Sequence, residues 1–394
     1  MVTRRDFLKQ ATLISLAPTV PGFLAETARG ASPLANDRIL VVIQLAGGND
    51  GLNMVVPYAD ETYYRMRPKL AVAKERVRRL GDAVGLNPSM RDAADLFHDG
   101  RLAIVQGVGY PNPNKSHEVS TSIWETARFD PTEHRSYGWL GRALDEAPAL
   151  PKSGPSALLV GREAPPITIR GRRSVAAAFE NLDELAVSES ARPHPGATSS
   201  SDESLAAFVR RSTLDTLTTA ERLAQSAKHA SDMASPPDNE LGQHLAIIAR
   251  LIKSDFGARV YYAIQSGYDT HAYQRDTHDR LLGSLSRGLQ FFLDELRRAK
   301  LDDRVLVMTF SEFGRRVDEN ASEGTDHGSA APLLLAGAKL KPGVHGTAPK
   351  LPATGNIDPV ATTDFRQVYQ AVLANWLRLP ARSALDGQFS AIGV

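Results

Sequence analysis

The chain has no cysteine in 394 residues. That excludes disulfides, thiolate nucleophiles and Cys-ligated metals, so a bound metal would have to use His, Asp, Glu and hydroxyl groups. It also lacks an excess of either charge. A formal net charge of +1 leaves no surplus of Lys and Arg to neutralise phosphates, which argues against a nucleic-acid binder. No apolar run is long enough to span a bilayer. The best N-terminal stretch, Ala11 to Leu24, is short and broken by Pro18 and Pro21. Hydrophobic content of 42% with 23% charged residues is ordinary for a globular protein. At this length the chain can bury one large core.

What is present begins with Thr3-Arg4-Arg5-Asp6-Phe7-Leu8-Lys9, which resembles a twin-arginine export signature. Small residues around Ala28 to Ala31 offer a cleavage region. We expect residues 1–31 to be a signal peptide handled by the twin-arginine translocase, and residues 32–394 to be a periplasmic or extracellular protein with no stable transmembrane segment.

Ile39 to Leu45 (ILVVIQL) is branched and apolar throughout, as suits a strand buried on both faces of a mostly parallel sheet. Leu102 to Val108, Arg259 to Gln265, Arg304 to Phe310 and Pro332 to Ala336 repeat the pattern, and Ala157 to Val160 and Ile167 to Ile169 read as short strands. Helical periodicity falls on Met90 to His98, Glu118 to Ala127, Trp139 to Leu144, Leu205 to Ala230, Leu241 to Phe256, Thr277 to Lys300 and Thr362 to Leu377. Alternation of this kind predicts a doubly wound α/β sheet. Residues 151–237, rich in Ser, Pro and Ala near their middle, read as a less regular, partly helical excursion. The basic stretch Tyr63 to Leu80 reads as a solvated face.

Open α/β sheets gather ligands at the carboxyl ends of their strands. Asp50, Ser116, Asp269, His271, Glu312 and His327 each fall just after or beside a predicted strand. Carboxylates, imidazoles and a hydroxyl collected there have the composition of a divalent-metal site, with zinc first and Mg, Mn or Ca as alternatives. Ser116 also opens a helix, where backbone N–H groups favour an anion, although Ser is a routine N-cap there as well. Trp124 and Tyr110 read as core aromatics.

The segments GGNDGLN from Gly47, KSHEVSTSIWETA from Lys115, GYDTH from Gly267, SEFGRR from Ser311 and GTDHGSAAPLLLAG from Gly324 carry a resemblance. The sequence looks like a bacterial exported family of unknown function in the alkaline phosphatase/sulfatase superfamily. The resemblance implies an alkaline-phosphatase-like fold, Asp50 on one metal, Ser116 as nucleophile, and Asp269 and His271 on another. For the adjacent Asp-His pair expected after the next strand, two alignments are open. Asp326-His327 is one. In the other, which we adopt, Glu312-Phe313 takes that place and His327 is the last His ligand.

One site then holds Asp269, His271 and His327. The other holds Asp50, Ser116 and Glu312 and lacks an imidazole unless His117 supplies it. Asp326 would orient His327, and Arg315 or Lys115 would hold the substrate anion. The implied activity is hydrolysis of anionic small-molecule or glycan esters of phosphate or sulfate. The alternative is a metal-binding accessory protein without turnover.

Overall fold

A computed structural model describes residues 38–130, 136–147, 155–180, 233–352 and 358–393. The export motif, the cleavage region and the helix expected over residues 205–230 lie outside the described residues. The main sheet contains β1 (Ile39–Ala46), β2 (Leu102–Gly109), β3 (Ala157–Val160), β4 (Ala176–Phe179), β5 (Val260–Ser266), β6 (Val305–Phe310), β7 (Ala331–Ala336), β8 (Gly343–His345) and β9 (Thr363–Asp364). Their order is β8-β2-β7-β6-β1-β5-β3-β4, with β9 also pairing with β2. The strand β1 is central and parallel to both β5 and β6. Only β7 runs antiparallel to its neighbours, β2 and β6, among the described strands of this sheet.

The alternating side chains of β1 explain why it reads as a continuous apolar run. Val41, Ile43 and Leu45 enter one core layer while Leu40 and Val42 enter the other. The first layer is closed by α1 (Arg91–His98), α4 (Glu240–Lys253) and α5 (Gln274–Arg298), and the second by α2 (His117–Thr126), α3 (Trp139–Asp145) and α6 (Phe365–Gln370). Each fully buried aliphatic side chain contributes about 1.5–3 kcal/mol, so two such layers fix the sheet and everything hung from its ends. Trp124 stacks on Phe310 and Phe365 at 5.6 and 4.6 Å, as a core aromatic should. The molecule is a doubly wound, mostly parallel α/β sandwich. Among the described residues no helix is long and apolar enough to cross a membrane.

Two expectations are corrected. Ile167–Ile169 is a single 3-10 turn following Pro166, and the strand that pairs with β3 is Ala176–Phe179. Residues 157–160, as expected a short strand, and 176–179 both lie in the main sheet. The stretch from Tyr63 to Leu80 is not simply a solvated face, because Tyr63 and Arg67 are wholly buried in it.

Candidate metal centre

The orientation of β7 decides which loops meet. Parallel strands β1, β5 and β6 deliver the residues that follow them to one edge of the sheet. An antiparallel strand delivers the residues that precede it. His327, four positions before β7, therefore joins Asp269 and His271, which follow β5. Gly47, just past β1, lets the Asp269 backbone approach closely. A Cβ there would lie 2.5 Å from the Asp269 nitrogen, and the φ of +118° is one that side chains rarely adopt.

Four ligand-capable atoms converge. Oδ1 of Asp269 lies 3.5 Å from Nε2 of His117, 3.0 Å from Nε2 of His271 and 3.1 Å from Nε2 of His327. The Nε2 atoms of His271 and His327 are 2.9 Å apart. Among the described residues, His117, Asp269 and His327 form a group whose ligand atoms all lie within 4.8 Å of one another. Around a tetrahedral zinc with bonds of ~2.0–2.1 Å, ligand atoms lie roughly 3.3 Å apart, which is close to most of these spacings.

The hydrogen bonds on the far sides of the rings fix which nitrogens carry protons. Nδ1 of His327 faces the Lys115 carbonyl at 2.8 Å, and a carbonyl only accepts, so that nitrogen is the donor. Nδ1 of His117 faces Oε1 of Glu312 at 2.8 Å, an oxygen that also accepts the Gly47 amide at 2.9 Å. Nδ1 of His271 faces Oδ1 of Asp326 at 3.4 Å, and its Nε2 lies 3.4 Å from Nη1 of Arg315, which can only donate. Each Nε2 is thereby left with a lone pair. Three such nitrogens and a carboxylate oxygen facing one another could hold a cation among them. Among the described residues Nε2 of His117 is buried and has no hydrogen-bond partner. The donor set fits a zinc-type ion.

Asp269 is held ionised. Burial pushes its carboxyl up, but the hydrogen bond and charge of Arg315, with the neighbouring His327 and His271, outweigh that and bring it down to about 2.

The remaining expected residues take other places. Glu312 is buried and orients His117 instead of presenting a ligand atom. Asp326 supports His271, not His327. Arg315 is fully buried and reaches the carbonyls of Gly47, Gly48, Tyr268 and Thr325 as well as Asp269 at 2.6 Å, so its guanidinium staples the three loops and is not presented to an incoming anion. Lys115 is engaged by Asp358 at 2.7 Å. Asp50 is completely buried and ion-paired with Arg67 at 2.6 Å, away from the imidazoles' shared point. Ser116 is exposed at the start of α2 with no capping bond from its side chain. Its chain neighbours are both tied to the centre, Lys115 through its carbonyl and His117 through its ring.

Phe313, in the place where the resemblance expects an imidazole, lies against the rings of His117 and His327 at 4.9 and 4.6 Å between centroids. Sequence reasoning missed Arg67 and Gln274, both of which grip Asp50. Nothing in their local spacing marks them out.

No curated protein matches this sequence. Similar solved structures include the PsFucS1 sulfatase from Pseudoalteromonas sp., with a TM-score of 0.41 and 11% identity over 93% of this chain and 72% of that one. A protein of the alkaline phosphatase superfamily from Vibrio parahaemolyticus has a TM-score of 0.39 and 11% identity, covering 89% and 69%. The lipoteichoic acid synthase LtaP from Listeria monocytogenes has a TM-score of 0.37 and 9% identity, covering 91% and 80%. A family model described as a protein of unknown function (DUF1501) matches residues 37–379, and the chain belongs to that family.

Proposed function

We propose that this protein is an exported, metal-dependent hydrolase of phosphate or sulfate esters, with Ser116 as nucleophile and His117, Asp269, His271 and His327 as metal ligands. The observation that carries the metal is the set of three Nε2 lone pairs turned onto one ionised carboxylate. A nitrogen-rich set selects zinc over Mg or Ca, which prefer oxygen. Bound there, zinc would supply positive charge to lower the pKa of a nearby hydroxyl and to offset charge developing on the ester. Glu312, Asp326 and the Lys115 carbonyl hold the imidazoles in the ligating tautomer, and Arg315 keeps the Asp269 carboxylate in place. The open position of Ser116, between two residues anchored to the centre, supports its role as the attacking group.

A cavity of about 430 Å³, lined mainly by apolar groups including Leu52, Val55, Val84, Ala331 and Pro332, supports binding of an ester's organic portion. One of its lining residues, Ala330, stands three positions beyond His327, about 11 Å of chain at most.

The second reading is a metal-binding accessory protein. The engagement of Arg315 and Lys115 by other partners favours it, because a hydrolase of anions profits from a cation free to hold them. Metal analysis of the purified protein, with wild type and Ser116→Ala assayed on aryl phosphates and aryl sulfates, separates the two. Turnover that needs metal and disappears in Ser116→Ala supports the hydrolase. Bound metal without turnover of any ester overturns it in favour of the accessory reading.

A further inference from the structure

The sequence resemblance implies a second ion at Asp50, and an arginine occupies that carboxylate. Nη1 of Arg67 reaches Oδ2 of Asp50 at 2.6 Å and Oδ1 of Asn53 at 2.8 Å. Nε donates to the Val317 carbonyl at 2.8 Å and Nη2 to the Arg316 carbonyl at 2.7 Å. Gln274 donates to the same Oδ2 of Asp50. Both side chains of the ion pair are wholly buried. Desolvation pushes the Asp50 carboxyl up, and the charges of Arg67 and His278 with the Arg67 and Gln274 hydrogen bonds bring it below the ordinary carboxylate range.

We propose that the protein binds one metal ion per chain, at the three imidazoles and Asp269, and that the Arg67 guanidinium is the permanent cation standing on Asp50 in place of a second. A guanidinium does not lose its proton in proteins. It is wholly buried and held by carbonyls from residues 316 and 317. Among the described residues Oδ1 of Asp50 has no hydrogen-bond partner, yet an ion there would face the guanidinium's like charge across a buried, low-dielectric gap. Glu312, the other carboxylate implied for that ion, is committed to the Gly47 amide and the His117 ring. Of the carboxylate oxygens implied for a second ion, Oδ2 of Asp50 and Oε1 of Glu312 are already engaged. The inference rests on the metal binding proposed above and is independent of turnover.

The test is stoichiometric. Metal-free protein is titrated with Co²⁺, following visible absorption, and zinc-loaded protein is gel-filtered and analysed for metal. Both should end at one equivalent. His327→Ala should weaken the ion about 10–100-fold or more, since a ligand is lost outright. Asp50→Asn should leave stoichiometry at one.

Because Asp50→Asn strands a buried charge and can misfold, Asp50→Leu/Arg67→Met removes both charges together and should also keep one ion. Two equivalents in the wild type, or loss of bound metal on removing Asp50 in a folded variant, overturns the proposal. No bound metal overturns it together with the metal reading. One ion without ester turnover supports it and removes the hydrolase.

Discussion

Glu312 and His117 stand 195 positions apart in sequence, and Oε1 of the first accepts from Nδ1 of the second at 2.8 Å. That single bond decides which face of the imidazole is a donor. In Glu312→Gln the amide's NH2 can turn toward the ring and favour the wrong tautomer. Zinc affinity should fall by about 10–100-fold with the fold intact, as measured by competition with a chromophoric chelator. Unchanged affinity would mean that the Glu312 carboxylate does not set the His117 tautomer.

Arg315 joins the loops after β1 and β5 to the loop before β7 through four carbonyls and one carboxylate. Removing a buried, multiply bonded charge leaves its partners stranded. Arg315→Ala should cost about 3–5 kcal/mol in urea unfolding. Arg315→Lys keeps the charge but cannot reach several carbonyls at once, so it should recover only part of that loss. Full recovery by lysine would show that charge alone matters.

Gly48 has φ +73°, and a Cβ on it would lie 2.2 Å from the ring of Phe313, which packs on His117 and His327. Gly48→Ala should therefore displace Phe313 and disturb both imidazoles. We expect a stability loss of about 1–3 kcal/mol together with weaker zinc binding. A variant that loses stability without any change in metal affinity would uncouple Phe313 from the centre.

Glu125, buried on α2, has its carboxyl pushed up to about 7 by desolvation, against the opposing charge of Arg170 and the amides of Ile167 and Thr168. The unfolded chain gives up this proton near 4.5, while the folded one keeps it to about 7. The contribution to stability is therefore complete below pH 4.5, declines as pH rises, and is lost above 7, an effect on the order of 3 kcal/mol. Glu125→Gln should flatten that decline and exceed the wild type in urea midpoint at pH 8. Parallel pH profiles for the two proteins would exclude Glu125 as the cause.

The strands that the sequence displayed openly are those buried on both faces. The branched runs of β1, β2, β5 and β6 have no other good conformation. In contrast, Ala176–Phe179 is mostly alanine and becomes a strand only because β3 lies beside it, while the branched Ile167–Ile169 follows Pro166 into a turn. In the site, Asp269, His271 and His327 were legible because motif and strand end coincide. His117, the weakest of the candidate ligands on sequence grounds, moves to the centre, since its role depends on Glu312. Asp50 was read as a ligand from its place after β1 within the joint pattern, and its partner Arg67 lay hidden in a basic stretch read as solvated. Long-range pairing of charges leaves no local periodicity to read.

The antiparallel course of β7 has one more consequence. The ring of His327 meets Asp269 only once β7 has docked between β2 and β6 and β5 has docked on β1. An incompletely assembled chain has the same side chains but no converging lone pairs. Zinc capture during refolding should thus be a late, all-or-none event that lags behind the recovery of helical dichroism, making the ion a reporter of finished architecture.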